Sequence, residues 1–308
     1  MSMKNEQKRT DIHAQITDRI IADLKKGVRS WVQPWATGDG TNGVIRPLRH
    51  NGEPYSGMNV ILLWSEAVAR GYTAPTWMTL RQANDLGGRI RKGENGTVVV
   101  YASRFTKTAI NASGEEFERD IPFLKTYRVF NVEQIEGLPA SYCSPSPATE
   151  PSVTATENAF RFFAEIRADI RHGGSQAYYC PSSDHIQMPV SSDFKDIVSY
   201  LSVLGHETIH WTAHPDRVGR DLSRYAKDRS ERAREELIAE IGAALLCADL
   251  GLVPELEPRP DHASYLASWL TVLSNDKRAI FQAAAHAQRA VNFLHDLQPR
   301  TEPIRGAA

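Results

Sequence analysis

Gly205-His206-Glu207-Thr208-Ile209-His210-Trp211 is the stretch that decides how the second half of this chain is read. In a helix of 3.6 residues per turn, positions i and i+4 lie one turn apart on the same face, so His206 and His210 can present two imidazoles to one ion. Glu207, one position after the first histidine, projects toward the space in front of that ion, where a carboxylate can take a proton from an attacking water. That is the metallopeptidase arrangement. With 10 histidines in 308 residues, such a string arises by chance in roughly 2% of chains of this composition, so a third ligand has to decide.

The candidates are Glu235, Glu236 and Glu240, on a segment from Ser230 to Leu250 that reads as a helix with Leu237, Ile241, Ala244 and Leu245 facing a core. Glu236 and Glu240 are one turn apart beside Leu237 and Ile241. An acidic pair on an inward helix edge is costly unless an ion or a histidine partners it. One carboxylate would complete a His₂Glu site and the other would accept the distal N–H of a ligating histidine. The Glu-x-x-x-acid spacing of thermolysin-like sites assigns Glu236 to the metal and Glu240 to the outer role, with the reverse left open. Glu235 is expected to face solvent. Zinc suits two imidazoles and a carboxylate, although Mn, Co or Ni could enter. The strand-like run Asp184-His-Ile-Gln-Met-Pro189 precedes the metal helix, so an extended substrate is expected along Ile186-Gln187-Met188. For the oxyanion, His185, His214 and Tyr225 are candidates that spacing does not separate.

The chain is 41% hydrophobic and 24% charged, enough for two globular domains with their own cores. Its most apolar late run, Ile241 to Val253, is short and interrupted by Asp249, so no membrane segment is expected and the protein is read as cytoplasmic. Cys143, Cys180 and Cys247 lie far apart, which argues against a disulfide framework or a Cys-rich zinc ribbon. Residues 1–140 carry 19 Lys+Arg against 15 Asp+Glu, and residues 141–308 carry 17 against 22, so a formal net charge of −1 divides into +4 and −5. A weakly basic half permits nucleic-acid binding without demanding it.

The stretch from Ala140 to Ser152, with three prolines and four serines, reads as a linker. It sets domains at 1–140 and 153–308, joined by 141–152. In the first, Ile12, Ile16, Ile20 and Leu24 predict an amphipathic helix stopped by Gly27, and Asn59 to Arg70 and Thr79 to Leu86 predict two more. Thr97 to Arg104 and Phe117 to Phe130 predict a long hairpin around Asn111-Ala-Ser-Gly114. The class is α+β. Arg89, Arg91, Lys92, Arg104 and Lys107, interleaved with Trp77, Tyr101, Tyr127 and Phe105, suit single-stranded nucleic acid, because guanidinium groups meet phosphates while rings stack on bases exposed in a single strand. Composition alone favours the plainer reading of core aromatics and a solvated basic face. In the second domain, Thr154 to His172 predicts a helix, two short strands follow, and Phe194 to His214 predicts the helix carrying the motif. Two further helices, His262 to Leu273 and Asp276 to Leu297, close the chain.

Tyr178-Tyr-Cys-Pro-Ser-Ser-Asp184-His-Ile-Gln-Met-Pro189, His206-Glu-Thr-Ile-His210-Trp-Thr, Arg220-Asp-Leu, Glu235-Glu-Leu-Ile-Ala-Glu240 and Ser268-Trp-Leu with Asp276-Lys-Arg-Ala-Ile280 resemble the C-terminal half of ArdC-type antirestriction proteins. Tyr55-Ser-Gly-Met-Asn59, Thr76-Trp-Met-Thr79 and Gln82 to Gly96 are similar to the N-terminal half, so the resemblance covers nearly the whole chain. It implies an N-terminal α+β domain that binds single-stranded DNA and a mostly helical, zincin-like metallopeptidase domain with a small sheet. It also implies carriage on a mobile element and protection of incoming DNA from host restriction, with a host restriction-system protein as substrate or partner. Related halves occur in plasmid primases of the TraC kind. The run Ser230-Glu-Arg-Ala233 departs from the family, which usually has Tyr-Ala before the two glutamates. Peptide hydrolysis is the favoured activity because Glu207 is retained. The alternative is a DNA-binding protein whose metal site is structural, a docking module, or a primase-related accessory.

Overall fold

The computed structural model describes residues 11–31, 46–110, 116–143, 153–252 and 260–299. In chain order its elements are α1 (Ile12–Lys25), β1 (Leu48–Arg49), α2 (Met58–Arg70), β2 (Thr76–Thr79), α3 (Leu80–Asp85), β3 (Arg89–Ile90), β4 (Thr97–Ile110), β5 (Glu116–Asn131), β6 (Ile135–Glu136), α4 (Ala140–Cys143), α5 (Val153–Ile166), β7 (Asp169–His172), β8 (Tyr178–Cys180), β9 (His185–Met188), α6 (Ile197–Trp211), α7 (Arg229–Asp249), α8 (Pro260–Asn275) and α9 (Ala279–Asp296). The α+β class read from the sequence holds.

Contacts divide the chain into two compact units, one spanning Pro47–Ser146 and the other combining Met1–Arg46 with Pro147–Ala308. This differs from a boundary at residues 140–152 in one respect: α1 belongs with the later helices. Asp11 caps α1 by accepting from the His13 amide, and its buried stripe of Ile16, Ile20 and Leu24 packs against α8. Two tethers fix it: the Thr17 hydroxyl donates to the Lys277 carbonyl at 2.7 Å, and the Lys277 ammonium meets Asp18 at 2.7 Å. Trp31 then packs edge-on against Trp269 with ring centroids 5.5 Å apart. Of the expected linker, Ala140–Cys143 forms α4, and residues 144–152 lie outside those described.

In the Pro47–Ser146 unit, the sheet order is β1-β2-β5-β4, with β1 parallel to β2 and the rest antiparallel. α2 packs on β4, and the Asn59 carboxamide brackets Val100, accepting from its amide and donating to its carbonyl, both at 2.8 Å. α3 opens with a capping box between Thr79 and Gln82, which satisfies two backbone donors reciprocally. A core of Met78, Ala83, Val132, Ile135 and Leu138 lies beneath it. The hairpin runs in register from Thr97 opposite Val129 to Ile110 opposite Glu116. Its turn at residues 111–115 lies outside those described.

In the other unit, α6, α7 and α9 pack together beside a three-stranded sheet of order β7-β9-β8. Two expectations need correcting. The helix expected from Thr154 to His172 ends at Ile166, Arg167 takes φ = +57°, and Asp169–His172 pairs parallel with β9 from Asp169–His185 to His172–Met188. Long-range pairing has overridden local helical preference there. As a result β9 is the central strand, and Ile186 and Gln187 are bonded on both sides with no free edge for a peptide, Met188 being paired with β7 alone.

Candidate metal centre

α6 begins where the Asp196 carboxylate accepts from the Ser199 amide at 2.7 Å, and α7 where Asp228 accepts from the amides of Ser230 and Glu231. Such caps satisfy the unpaired donors of a helix start. The helices approach closely at Gly242 of α7, where a Cβ would lie 2.9 Å from the Ile209 side chain. That contact puts the α7 carboxylates within reach of the α6 imidazoles.

His206, Glu207, His210, Glu235 and Glu236 are all buried. Glu236 stands between the histidines: its Oε2 is 3.4 Å from His206 Nε2 and its Oε1 is 3.6 Å from His210 Nε2. One donor atom from each of the three lies within 4.8 Å of the others, and this is the cluster among the described residues with the form of a metal site. The opposite ring nitrogens are also occupied. His206 Nδ1 is 3.5 Å from Glu240 Oε1, and His210 Nδ1 is 3.1 Å from Glu235 Oε1. With an ion between the rings, Nδ1–H donation to these carboxylates would present both Nε2 lone pairs to it, the arrangement a divalent cation requires. The donor set of two imidazoles and one carboxylate fits such an ion.

Charge in the cluster is strongly coupled. Burial pulls His210 down, but the Glu235 and Glu236 carboxylates outweigh it and the imidazole is pushed up to about 10. Burial likewise pushes Glu236 up, and hydrogen bonds with His206 and His210 overturn this, holding its carboxyl well below the usual range. The carboxylates that favour a positive charge on His210 would equally favour a cation between the two rings.

Glu235 is the main departure from expectation here. It is 6% exposed rather than solvent-facing, and besides His210 it binds the buried Arg220, which the spacing argument did not reach. The one sequence signal was Arg220-Asp-Leu among the family-like segments. Glu207 differs from the other three carboxylates: although buried, it makes no hydrogen bond or ion pair among the described residues. Of the oxyanion candidates, Tyr225 donates its hydroxyl to Glu236 Oε1 and its ring lies 6.0 Å from that of His210. His185 Nδ1 instead pairs with the Ser183 hydroxyl at 2.8 Å, and His214 Nδ1 accepts from the Asp216 amide at 3.2 Å. Beside them the turn between β8 and β9 is clamped by Arg217, whose guanidinium binds Asp184 and lies 3.8 Å over the Trp211 ring.

The candidate nucleic-acid residues of the other unit separate into classes. Trp77 is fully buried, packs against Tyr72 at 5.7 Å and sits on β2 between β1 and β5, so it cannot stack on a base. Arg89 and Lys92 are exposed. Arg91 is exposed too but pairs with Glu94 at 3.1 Å. Arg104, Phe105 and Lys107 stand in register with Pro122, Ile121 and Arg119; their side chains lie outside those described. Tyr101 and Tyr127 are 53% and 48% exposed and meet edge-on at 6.4 Å.

Comparison with known proteins gives a consistent result. The family description "N-terminal domain of anti-restriction factor ArdC" matches residues 10–130, and "Zincin-like metallopeptidase" matches residues 157–286. The chain is similar to the crystal structure of the antirestriction protein ArdC from the R388 plasmid in its metal-free form, with a TM-score of 0.76 and 43% identity over 93% of this chain and 97% of that one. Against the Mn(II)-bound form the TM-score is 0.72, with 41% identity over 93% and 98%. It is also 40% identical to the uncharacterized protein y4eC of Sinorhizobium fredii, over 99% of each chain. A DNA primase TraC of Escherichia coli is 35% identical over 96% of this chain, which spans 29% of that primase's length. No helix among the described residues is long and apolar enough to cross a membrane.

Proposed function

The chain belongs to the ArdC family of antirestriction proteins, and from that membership we propose that it binds single-stranded DNA through the Pro47–Ser146 unit and carries a metal-dependent peptidase site in the other, together protecting the incoming DNA of a mobile element from host restriction. Glu207 is the observation that carries the hydrolytic part. Three glutamates around the histidines are each engaged with an imidazole nitrogen, whereas Glu207 is buried with no such partner. Glu207 is not among the sealed polar atoms left without a partner, and a general base needs an uncommitted carboxylate that water can reach.

His206 Nε2, His210 Nε2 and Glu236 are the groups that would hold the ion, with Glu240 and Glu235 setting the histidine tautomers. Zinc is our first choice for that donor set; the ion in the R388 relative is Mn(II). When bound, such an ion supplies Lewis acidity toward a peptide carbonyl. Glu207 takes the proton of the attacking water and returns it to the leaving amine. The Tyr225 hydroxyl, whose one O–H donates to Glu236 in the absence of substrate, would turn from that carboxylate to stabilise the oxyanion. An extended substrate, a segment of a host restriction-system protein, pairs with the outer edge of β8, the strand that packs against α6 and, among the described residues, bonds to β9 on one side only.

A second observation supports the DNA part. The exposed Tyr101 and Tyr127 rings share a face of the hairpin with exposed Lys125, which is opposite Tyr101 in register. Residues 97–103 and 124–131 contain Lys125 and Arg128 and no carboxylate. Rings with nearby cations suit a single strand.

The deciding experiment compares the full chain with Glu207→Gln. The variant should retain one divalent ion per chain by elemental analysis and lose peptide hydrolysis by roughly 10²–10⁴-fold. If Glu207→Gln protects transferred DNA from restriction as well as the unaltered protein, protection does not run through hydrolysis, and the metal site serves as scaffold or docking module.

A further inference from the structure

Arg220 enters the metal centre from outside both motif helices. Its Nε donates to Glu235 Oε2 at 3.0 Å and its Nη2 to Glu235 Oε1 at 2.7 Å, a two-point fork on one carboxylate. Nη2 also donates to the Ile209 carbonyl at 2.7 Å, and Nη1 to the Thr212 hydroxyl at 2.8 Å. Its own amide donates to the Ala213 carbonyl at 2.9 Å. Arg220 is 8% exposed and Glu235 and His210 are 6% exposed each, so the chain of contacts is shielded from water.

The arrangement references two things to one another. A lone carboxylate can pivot about its side chain, but a bidentate guanidinium fixes its plane. The same guanidinium is anchored to the last turn of α6, at the residue before His210 and at one two positions after it. Glu235 is therefore held at a set distance and angle from the His210 ring, so that with an ion bound Nδ1–H would point at Glu235 and Nε2 at the ion. The support of the other histidine is at longer range: His206 Nδ1 faces Glu240 at 3.5 Å, and Glu240 in turn faces Arg29 at 3.7 Å.

Resting on the reading that this cluster binds a divalent ion, we propose that Arg220 is a positioning residue for it: acting through Glu235, it fixes the tautomer and orientation of His210 and thereby sets the affinity for the ion. His210 is the ligand preorganised through this fork.

The test uses the full chain and its Arg220→Lys, Glu235→Gln and Arg46→Lys variants. Arg46 is an equally buried arginine paired with Asp249 at 2.6 Å, at the end of α7 beside His295 rather than beside His206 and His210, and it controls for general loss of a buried ion pair. Zn(II) and Mn(II) dissociation constants are measured by competition with a chromophoric chelator, and unfolding of the metal-free chains is followed in parallel. Arg220→Lys and Glu235→Gln should each weaken binding about 10–100-fold, while Arg46→Lys keeps the original affinity even where its unfolding midpoint falls as far. Glu235→Gln, nearly isosteric, carries the test if Arg220→Lys does not fold. Unchanged affinity in Glu235→Gln, or an equal loss in Arg46→Lys, would overturn the proposal. Failure of the unaltered chain to take up either ion would instead overturn the metal reading beneath it.

Discussion

The polar cluster between α6 and α7 and the aromatic pair on the β4–β5 hairpin are held in opposite ways. In the cluster, charged groups that would be prohibitively costly alone are buried together: each imidazole Nδ1 faces its own carboxylate, and the two Nε2 atoms share Glu236. On the hairpin, two large rings that would gain by burial stand in solvent, with Lys125 on the same face. Each departs from the ordinary rule that polar groups are outside and aromatic ones inside. The first departure is resolved internally once an ion arrives; the second asks for a partner with faces to stack on.

The largest expected effect tests whether exposure is the right criterion. Trp77 and Tyr101 were equal candidates as sequence, yet one is core and the other surface. Trp77→Ala should cost about 3–5 kcal/mol of stability by denaturant unfolding, as large buried side chains do. A milder Trp77→Phe that leaves oligonucleotide affinity intact would separate the two roles; a selective loss of DNA binding in that variant would break the comparison.

Next in size, Tyr101→Ala and Tyr127→Ala should each weaken binding of a fluorescent single-stranded oligonucleotide about tenfold, with unfolding nearly unchanged. Duplex of the same sequence should bind more weakly and lose affinity steeply with salt. Equal affinity for duplex and single strand in the unaltered chain would mean that stacking is not the basis of recognition.

The smallest effect concerns an intermediate case. Cys180, at the end of β8, is half-buried, and hydrogen bonds from the Ser182 and Ser183 hydroxyls bring its thiol down to about 7. Its alkylation rate, followed by mass spectrometry, should therefore rise through a midpoint near pH 7 and level off above it, because the thiolate is the reactive form. Ser182→Ala with Ser183→Ala should move that midpoint upward. A profile still climbing at pH 9 in the unaltered chain would show that polar support at this sheet edge is weaker than in the cluster.

Much of the site was legible because helical spacing is rigid: His206 with His210, and Glu236 with Glu240, are related by one turn whatever surrounds them. Glu235 was not, since its inward orientation depends on a guanidinium arriving from fifteen residues earlier, at Arg220. The helices were read nearly to their ends where caps such as Asp11 and Asp228 mark them. β7 was missed because Asp169–His172 becomes a strand only through β9, and with it went the recognition that Ile186 and Gln187 are hemmed in on both sides. Trp77 and Tyr101 could not be told apart, because the difference lies in which strand gains a neighbour on each side.

The tether between Thr17 and Lys277 joins residues 260 positions apart. On the ribosome, at about 5–20 residues per second, the stripe of Ile16, Ile20 and Leu24 must wait roughly 13–50 s for its partner helix to be made. The Pro47–Ser146 unit has no such delay. Newly made chains would thus pass through a period in which the Pro47–Ser146 unit is complete and the cluster between α6 and α7 is not, and in which the exposed leucine and isoleucines of α1 are the segment a chaperone would hold.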